Sequence, residues 1–251
     1  RTIEFRTSRG NLRLVADAYG DEHRQPVLLA HGGGQTRHAW GKTARQIAEE
    51  GFYAVVLDLR GHGESDWAHD KDYDFRTFAQ DVIDVAQTFS RKPIAVGASL
   101  GGISSLTGHD IAGQDLLQAL VLVDITPHME AEGLTRIRDF MLEHAANGFA
   151  TLEEAADFVA SYTPQRQRSN NHDGLRKNLR LCEDGRYRWH WDPDFLDRRP
   201  RRQEDGETIR VNFLEEAARA LTIPTLLVPI TDGMVTPSRS TSTSWVTSRG
   251  R

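Results

Sequence analysis

The sequence has one cysteine among 251 residues, Cys182. That excludes an internal disulfide and fits a reducing compartment. No stretch approaches the roughly 18 consecutive apolar residues of a membrane-spanning helix, and the opening Arg1-Thr2-Ile3-Glu4 has no apolar signal-peptide core. Excess charge is also lacking: a formal net charge of -5 calls for neither a nucleic acid nor an anionic membrane surface as partner. The expectation is a cytoplasmic protein that handles a small-molecule substrate, with no nucleic-acid and no membrane partner. Nothing in the composition fixes an oligomeric state. The first residue is not methionine, which reads as loss of a short stretch at that end.

What is present is a regular alternation. Residues 2–7 and 11–19 alternate apolar and polar side chains around Ser8-Arg9-Gly10, the pattern of an antiparallel hairpin. Residues 26–30, 53–57, 93–96, 119–123 and 224–229 are short apolar runs suited to buried strands. Between them, residues 39–50, 75–89 and 103–112 have helical spacing; in the second, Phe75, Phe78, Val82, Val85, Ala86 and Phe89 recur at about 3.6 residues. Strands and helices linked by short connections predict a doubly wound, mostly parallel α/β sheet. Ligands of such sheets gather beyond the carboxyl ends of the strands.

The polar and glycine-rich stretches fall at those ends. His31-Gly32-Gly33-Gly34 follows the first buried strand, Asp58 ends the second, and Asp124 and Asp232 follow two later ones. Gly97-Ala98-Ser99-Leu100-Gly101 lies between a strand and a helix. A serine hydroxyl is a weak nucleophile that needs an exposed position, a base, and N–H donors for the oxyanion it creates. A sharp strand-to-helix turn supplies the exposure and aims a helix N-terminus at the developing charge. His62 and Asp66, in the loop from Arg60 to Asp66, are read as loop-stabilising groups.

From 127 to about 220 the alternation stops. Residues 134–146 and 152–162 read as amphipathic helices, and Asp184-Gly185 as a turn beside the aromatic segment Tyr187 to Trp191; this stretch is read as an inserted helical cap. Residues 164–210 hold twelve Lys and Arg against nine Asp and Glu, so the near balance favours a solvated, ion-paired surface over a nucleic-acid stripe. Trp189 and Trp191 are read as cap core.

Together, the His-Gly-Gly-Gly loop, the run Asp58-Leu59-Arg60-Gly61-His62-Gly63-Glu64-Ser65, the Gly97 to Gly101 turn and a strand ending near Asp232 resemble the α/β-hydrolase superfamily, in particular its capped serine hydrolases. The resemblance implies a core over 1–126, a cap over 127–220 and the acid strand and loop over 221–237; the Ser-, Thr- and Arg-rich composition of 238–251 predicts a tail without stable order. It implies Ser99 as nucleophile, Gly33 and Leu100 as oxyanion donors, Asp232 as triad acid with Asp124 as the alternative, and neither metal nor cofactor. Serine in place of aspartate at the turn points to an ester-like carbonyl substrate and an acyl-enzyme. The family pattern also requires a histidine after the acid, but the last histidine is His190. Nineteen residues follow Asp232, and eleven of the final fourteen are Ser, Thr or Arg. The expectation is a chain lacking the last strand and helix, its tail an out-of-frame readout of them, with a natural polar tail as the alternative. His31 and His128 are the substitutes considered for the base. A non-catalytic small-ligand-binding protein is the second functional reading.

Overall fold

The computed structural model describes residues 1–125, 131–162, 172–196, 212–228 and 245–246. The chain runs through β1 (Thr2–Arg6), β2 (Arg13–Tyr19), β3 (Pro26–Ala30), α1 (Gly41–Glu49), β4 (Tyr53–Leu57), α2 (Phe75–Ala86), β5 (Ile94–Ala98), α3 (Leu100–Ile111) and β6 (Ala119–Val123). Then follow α4 (Ala131–Glu143), α5 (Leu152–Tyr162), α6 (Asp173–Arg176), a separate hairpin of β7 (Leu179–Leu181) and β8 (Tyr187–Trp189), α7 (Asn212–Ala220), β9 (Thr225–Val228) and β10 (Trp245–Val246). Eight strands form the main sheet in the order β1-β2-β4-β3-β5-β6-β9-β10. The neighbours from β4 through β3, β5 and β6 to β9 are parallel, and an antiparallel hairpin is added at β4. The doubly wound, mostly parallel sheet is the expected fold.

Boundaries follow local chemistry. Asp74 caps α2 by accepting from the Arg76 amide at 2.8 Å. That helix stops at Ala86, three residues before the apolar spacing ends, because the Thr88 hydroxyl and amide both turn back onto the Val85 carbonyl. α3 begins at Leu100, earlier than the apolar spacing implied, with Ser99 as its cap.

Burial separates the strands into two kinds. β3 and β4 are buried at every position, between α1 on one face and α2 with α3 on the other. In β5 and β6 only alternate residues are buried: Ala95, Gly97, Leu120 and Leu122 are covered, whereas Ile94, Val96, Val121 and Val123 are half-exposed. Among the described residues, nothing covers the α1 side of these two strands as α1 covers β3 and β4. Their apolar runs therefore read as more buried than they are.

α4, α5 and the β7–β8 hairpin lie between β6 and β9 in the chain, where the insertion was expected. α7 falls in the same stretch but packs on α3, with Leu214 and Ala217 buried against the Leu106 and Leu120 cluster. It belongs to the helix layer of the core. In the tail, Trp245 and Val246 pair antiparallel with Leu226 and Thr225 of β9, so these two residues carry order that their composition did not announce. The rest of 238–251 lies outside the described residues. No helix among the described residues is long and apolar enough to cross a membrane.

Candidate active site

β5 ends at Ala98 and α3 begins at Leu100, so Ser99 alone makes the turn. Its backbone lies at φ 44°, ψ -114°, a conformation a non-glycine residue holds only when its surroundings impose it. The Ser99 amide donates to the Val123 carbonyl at 3.1 Å, its carbonyl accepts from Ile103 at 2.9 Å, and the Gly101 amide donates to the His31 carbonyl at 3.1 Å. Ser99 is left exposed while Leu100, Gly101 and Gly102 are buried.

The glycine loop lies against this turn. A Cβ placed on Gly32 would sit 3.5 Å from that of Ser99, and one placed on Gly33 would sit 3.9 Å from Leu100 Cδ2. Within the loop the Gly32 amide donates to Gln35 Oε1, the Gln35 amide to the Gly32 carbonyl, and the Gly34 amide to His62 Nε2. Among the described residues, the amides of Gly33 and Leu100 have no acceptor. Two unclaimed donors on the two segments that flank an exposed serine can receive an oxyanion.

Of the two acid candidates, Asp124 is described. It is exposed, at φ 53°, its amide donating to the Val228 carbonyl. It follows the Ala98↔Val123 pair, so it ends the strand beside the serine turn. Asp232 lies outside the described residues, as does His128.

His31 is not a free base. Its Nε2 accepts from the Leu59 amide at 3.1 Å and its Nδ1 donates to the Gly32 carbonyl at 2.8 Å. His62 is equally committed, between the Gly34 amide and the Arg60 carbonyl. No hydrogen bond joins Ser99 to a histidine ring among the described residues. Asp58 is buried and structural: it accepts from the Arg37 amide at 2.6 Å, from the Arg37 guanidinium and from the Glu64 amide. Asp66 accepts from the Arg13 amide at 2.8 Å, a loop-stabilising contact like that of His62.

A sequence model of the alpha/beta hydrolase fold matches residues 25–240. The chain belongs to this family. It is 30% identical over 172 residues to an esterase of Mycobacterium tuberculosis, covering 66% of this chain and 56% of that protein. It is 27% identical over 189 residues to protein phosphatase methylesterase 1 of Mus musculus, covering 72% and 47%. The crystal structure of an alpha/beta hydrolase from Novosphingobium aromaticivorans superposes with a TM-score of 0.75 at 25% identity, covering 90% of this chain and 80% of that one. The chain spans about half the length of the curated relatives it matches.

In this alpha/beta hydrolase the segment after β8 bonds to the loop from Arg60 to Asp66 and packs against the glycine loop. The Gly63 amide donates to the His190 carbonyl, the Asp192 amide to the Gly61 carbonyl, and Tyr73 Oη to Asp192 Oδ2. Trp189 packs edge-on to Phe149, in the stretch between α4 and α5. Trp191 is buried too, but it bridges to His62, and its indole nitrogen comes within 3.7 Å of a Cβ placed on Gly34. Phe195 and Met141 meet the same loop, at 3.2 Å from a Cβ on Gly33 and 2.5 Å from one on Gly34. These contacts had no local signature, because they depend on where a distant segment lands.

Burial pushes His31 down to about 4 and His62, which also faces His31, down to about 3. Both rings stay neutral when folded but charge near 6.5 when unfolded, so their contribution to stability is present above pH 6.5 and is lost as pH falls towards 4 and 3. Between pH 7 and pH 5 each ring withdraws about 2 kcal/mol. Asp81 works in the opposite sense: burial, against the pull of Arg60, pushes it up to about 6, and its proton uptake returns about 1 kcal/mol. Urea unfolding at the two pH values is therefore expected to show a net loss of roughly 2–3 kcal/mol at pH 5; equal stability at both would contradict it.

Proposed function

We propose that this chain is a serine hydrolase acting on an ester-like carbonyl substrate. The observation that carries the reading is the strained, exposed Ser99 beside two unclaimed backbone amides, Gly33 and Leu100. Ser99 Oγ attacks the carbonyl carbon, the carbonyl π electrons move onto oxygen, and the two amides bind that oxyanion. Its collapse breaks the ester C–O bond and expels the alcohol, which takes the proton that Ser99 Oγ gave up on attack, and water then hydrolyses the acyl-enzyme to the carboxylic acid and free Ser99. Asp232 is the acid of the site, with Asp124 as the alternative. The relatives named esterase and methylesterase support the ester-like substrate class.

No histidine follows His190 in the sequence, and no ring is bonded to Ser99 among the described residues. Without an imidazole on Ser99, the oxyanion amides and binding alone support turnover several orders of magnitude below that of a complete triad. A fluorophosphonate is expected to label this chain slowly, at Ser99 and nowhere else. Ser99→Ala is expected to abolish the label without loss of fold. A folded chain that stays unlabelled after prolonged exposure, or carries the label elsewhere, overturns the proposal.

That no ring is bonded to Ser99 among the described residues also favours a second reading, a small-ligand-binding protein without the chemistry. It requires that small apolar esters raise the melting temperature equally in the unmodified chain and in Ser99→Ala.

A further inference from the structure

The two buried histidines hold each other's loops. His31 stands at the head of the glycine loop, and its Nε2 accepts from Leu59, the residue that opens the second loop. His62 stands in that second loop, and its Nε2 accepts from Gly34 in the glycine loop at 3.1 Å. Each ring uses its other nitrogen locally, His31 on the Gly32 carbonyl and His62 on the Arg60 carbonyl at 2.9 Å. Both rings are fully buried, with centroids 5.1 Å apart. His62 is wedged further by Phe195 at 4.8 Å and Phe78 at 6.4 Å. An N–H pointing at each Nε2 requires that nitrogen to be unprotonated, so each ring is held as its Nδ1–H tautomer.

Gly34 needs such an anchor. It has φ +80°, glycine has little preference of its own between backbone conformations, and three consecutive glycines carry no side chain to pack. The only side-chain acceptor on the Gly34 amide among the described residues is His62. Fixing that amide fixes the Gly33–Gly34 peptide, while the Gly33 N–H lies in the Gly32–Gly33 peptide, whose carbonyl accepts from His31 Nδ1 and from the Gln35 amide, so the two rings between them hold both peptides that flank Gly33.

We propose that His62 is a positioning residue, which sets the oxyanion loop through the Gly34 amide, with His31 as the reciprocal half of a two-histidine clasp. The inference rests on the reading of Gly33 as an oxyanion donor, but the clasp itself is measurable without catalysis.

The experiment has two arms. In the ¹⁵N-labelled, unmodified chain, a scalar coupling across the hydrogen bond is expected between the Gly34 amide nitrogen and His62 Nε2, and a second between Leu59 and His31. Hydrogen exchange over residues 32–35 is expected to accelerate about 10-fold or more in His62→Phe, which keeps a ring but offers no acceptor, and to be restored in His62→Gln, whose carbonyl can accept. In the second arm, His62→Phe lowers the maximal rate constant of Ser99 phosphonylation by about 10- to 100-fold with little change in the half-saturating concentration, and His62→Gln recovers most of it. Absence of the Gly34–His62 coupling, or unchanged exchange over 32–35 in a folded His62→Phe, overturns the clasp. Should His62→Phe fail to fold, the coupling in the unmodified chain decides. Altered exchange in a chain that never labels keeps the clasp and defeats the hydrolase reading instead; a chain that labels normally with its exchange unaltered does the reverse.

Discussion

Ser99→Cys is expected to be acylated by 4-nitrophenyl acetate about 100-fold or more faster than the unmodified chain at pH 8. In a complete triad the same exchange normally disables the enzyme, because the base and the oxyanion site are matched to oxygen. Here the argument reverses. A hydroxyl needs a general base, worth about 10²–10⁴-fold, and no imidazole is bonded to Ser99 among the described residues. A thiol with a pKa near 8.5 is already about one-quarter thiolate at pH 8, more so at a helix N-terminus, and Ser99 caps the 12-residue α3. The thiolate would attack without a base and still deliver its oxyanion to Gly33 and Leu100. The measurement is the nitrophenol burst, with the acyl group located by mass on the peptide containing position 99. A thiol variant slower than the serine chain would mean that a base reaches Ser99 after all.

The parts of the fold set by local pattern were legible in the sequence. The limits of β3, β4 and β6 coincide with the apolar runs 26–30, 53–57 and 119–123, since an apolar run flanked by glycine, aspartate or proline leaves the chain few alternatives. The turn at Ser99 was legible because its glycines, its serine and the adjoining elements occur in fixed order. What could not be read was whatever depends on distant packing. The half-exposed faces of β5 and β6 look the same in sequence as the buried β3. Nothing next to Arg37 announces that it would reach Asp58, Glu64 and Asp17. His62 was legible as a loop group, but the amide it holds, Gly34, lies 28 residues away. For the acid, the sequence offers Asp232 and Asp124 with equal chemistry, and their relative placement is a matter of two different strand ends.

Gly101→Ala is expected to destabilise the fold by about 3 kcal/mol or more, or to prevent its accumulation, which would make it among the most damaging single-methyl additions in the chain. A Cβ on Gly101 would lie 2.4 Å from the Ala30 carbonyl oxygen, 2.6 Å from its carbon and 2.7 Å from its Cβ. The obstacle is mainly the backbone of β3, so no side-chain rotation relieves it. α3 must lift from the sheet or β3 must move, and both carry the proposed site: α3 begins with the Leu100 amide, and β3 runs directly into His31 and the glycine loop. The methyl group therefore strikes at fold and chemistry through one contact, and the elbow requires glycine there to bring a helix start onto a neighbouring strand end. Gly174→Ala serves as the comparison, since a Cβ there meets nothing within 4 Å and alanine is the better helix former. Chemical unfolding of the two variants beside the unmodified chain is expected to separate them by at least about 3 kcal/mol. Equal stability would mean that α3 sits farther from β3 than an elbow permits, and the geometry assigned to Ser99 would fall with it.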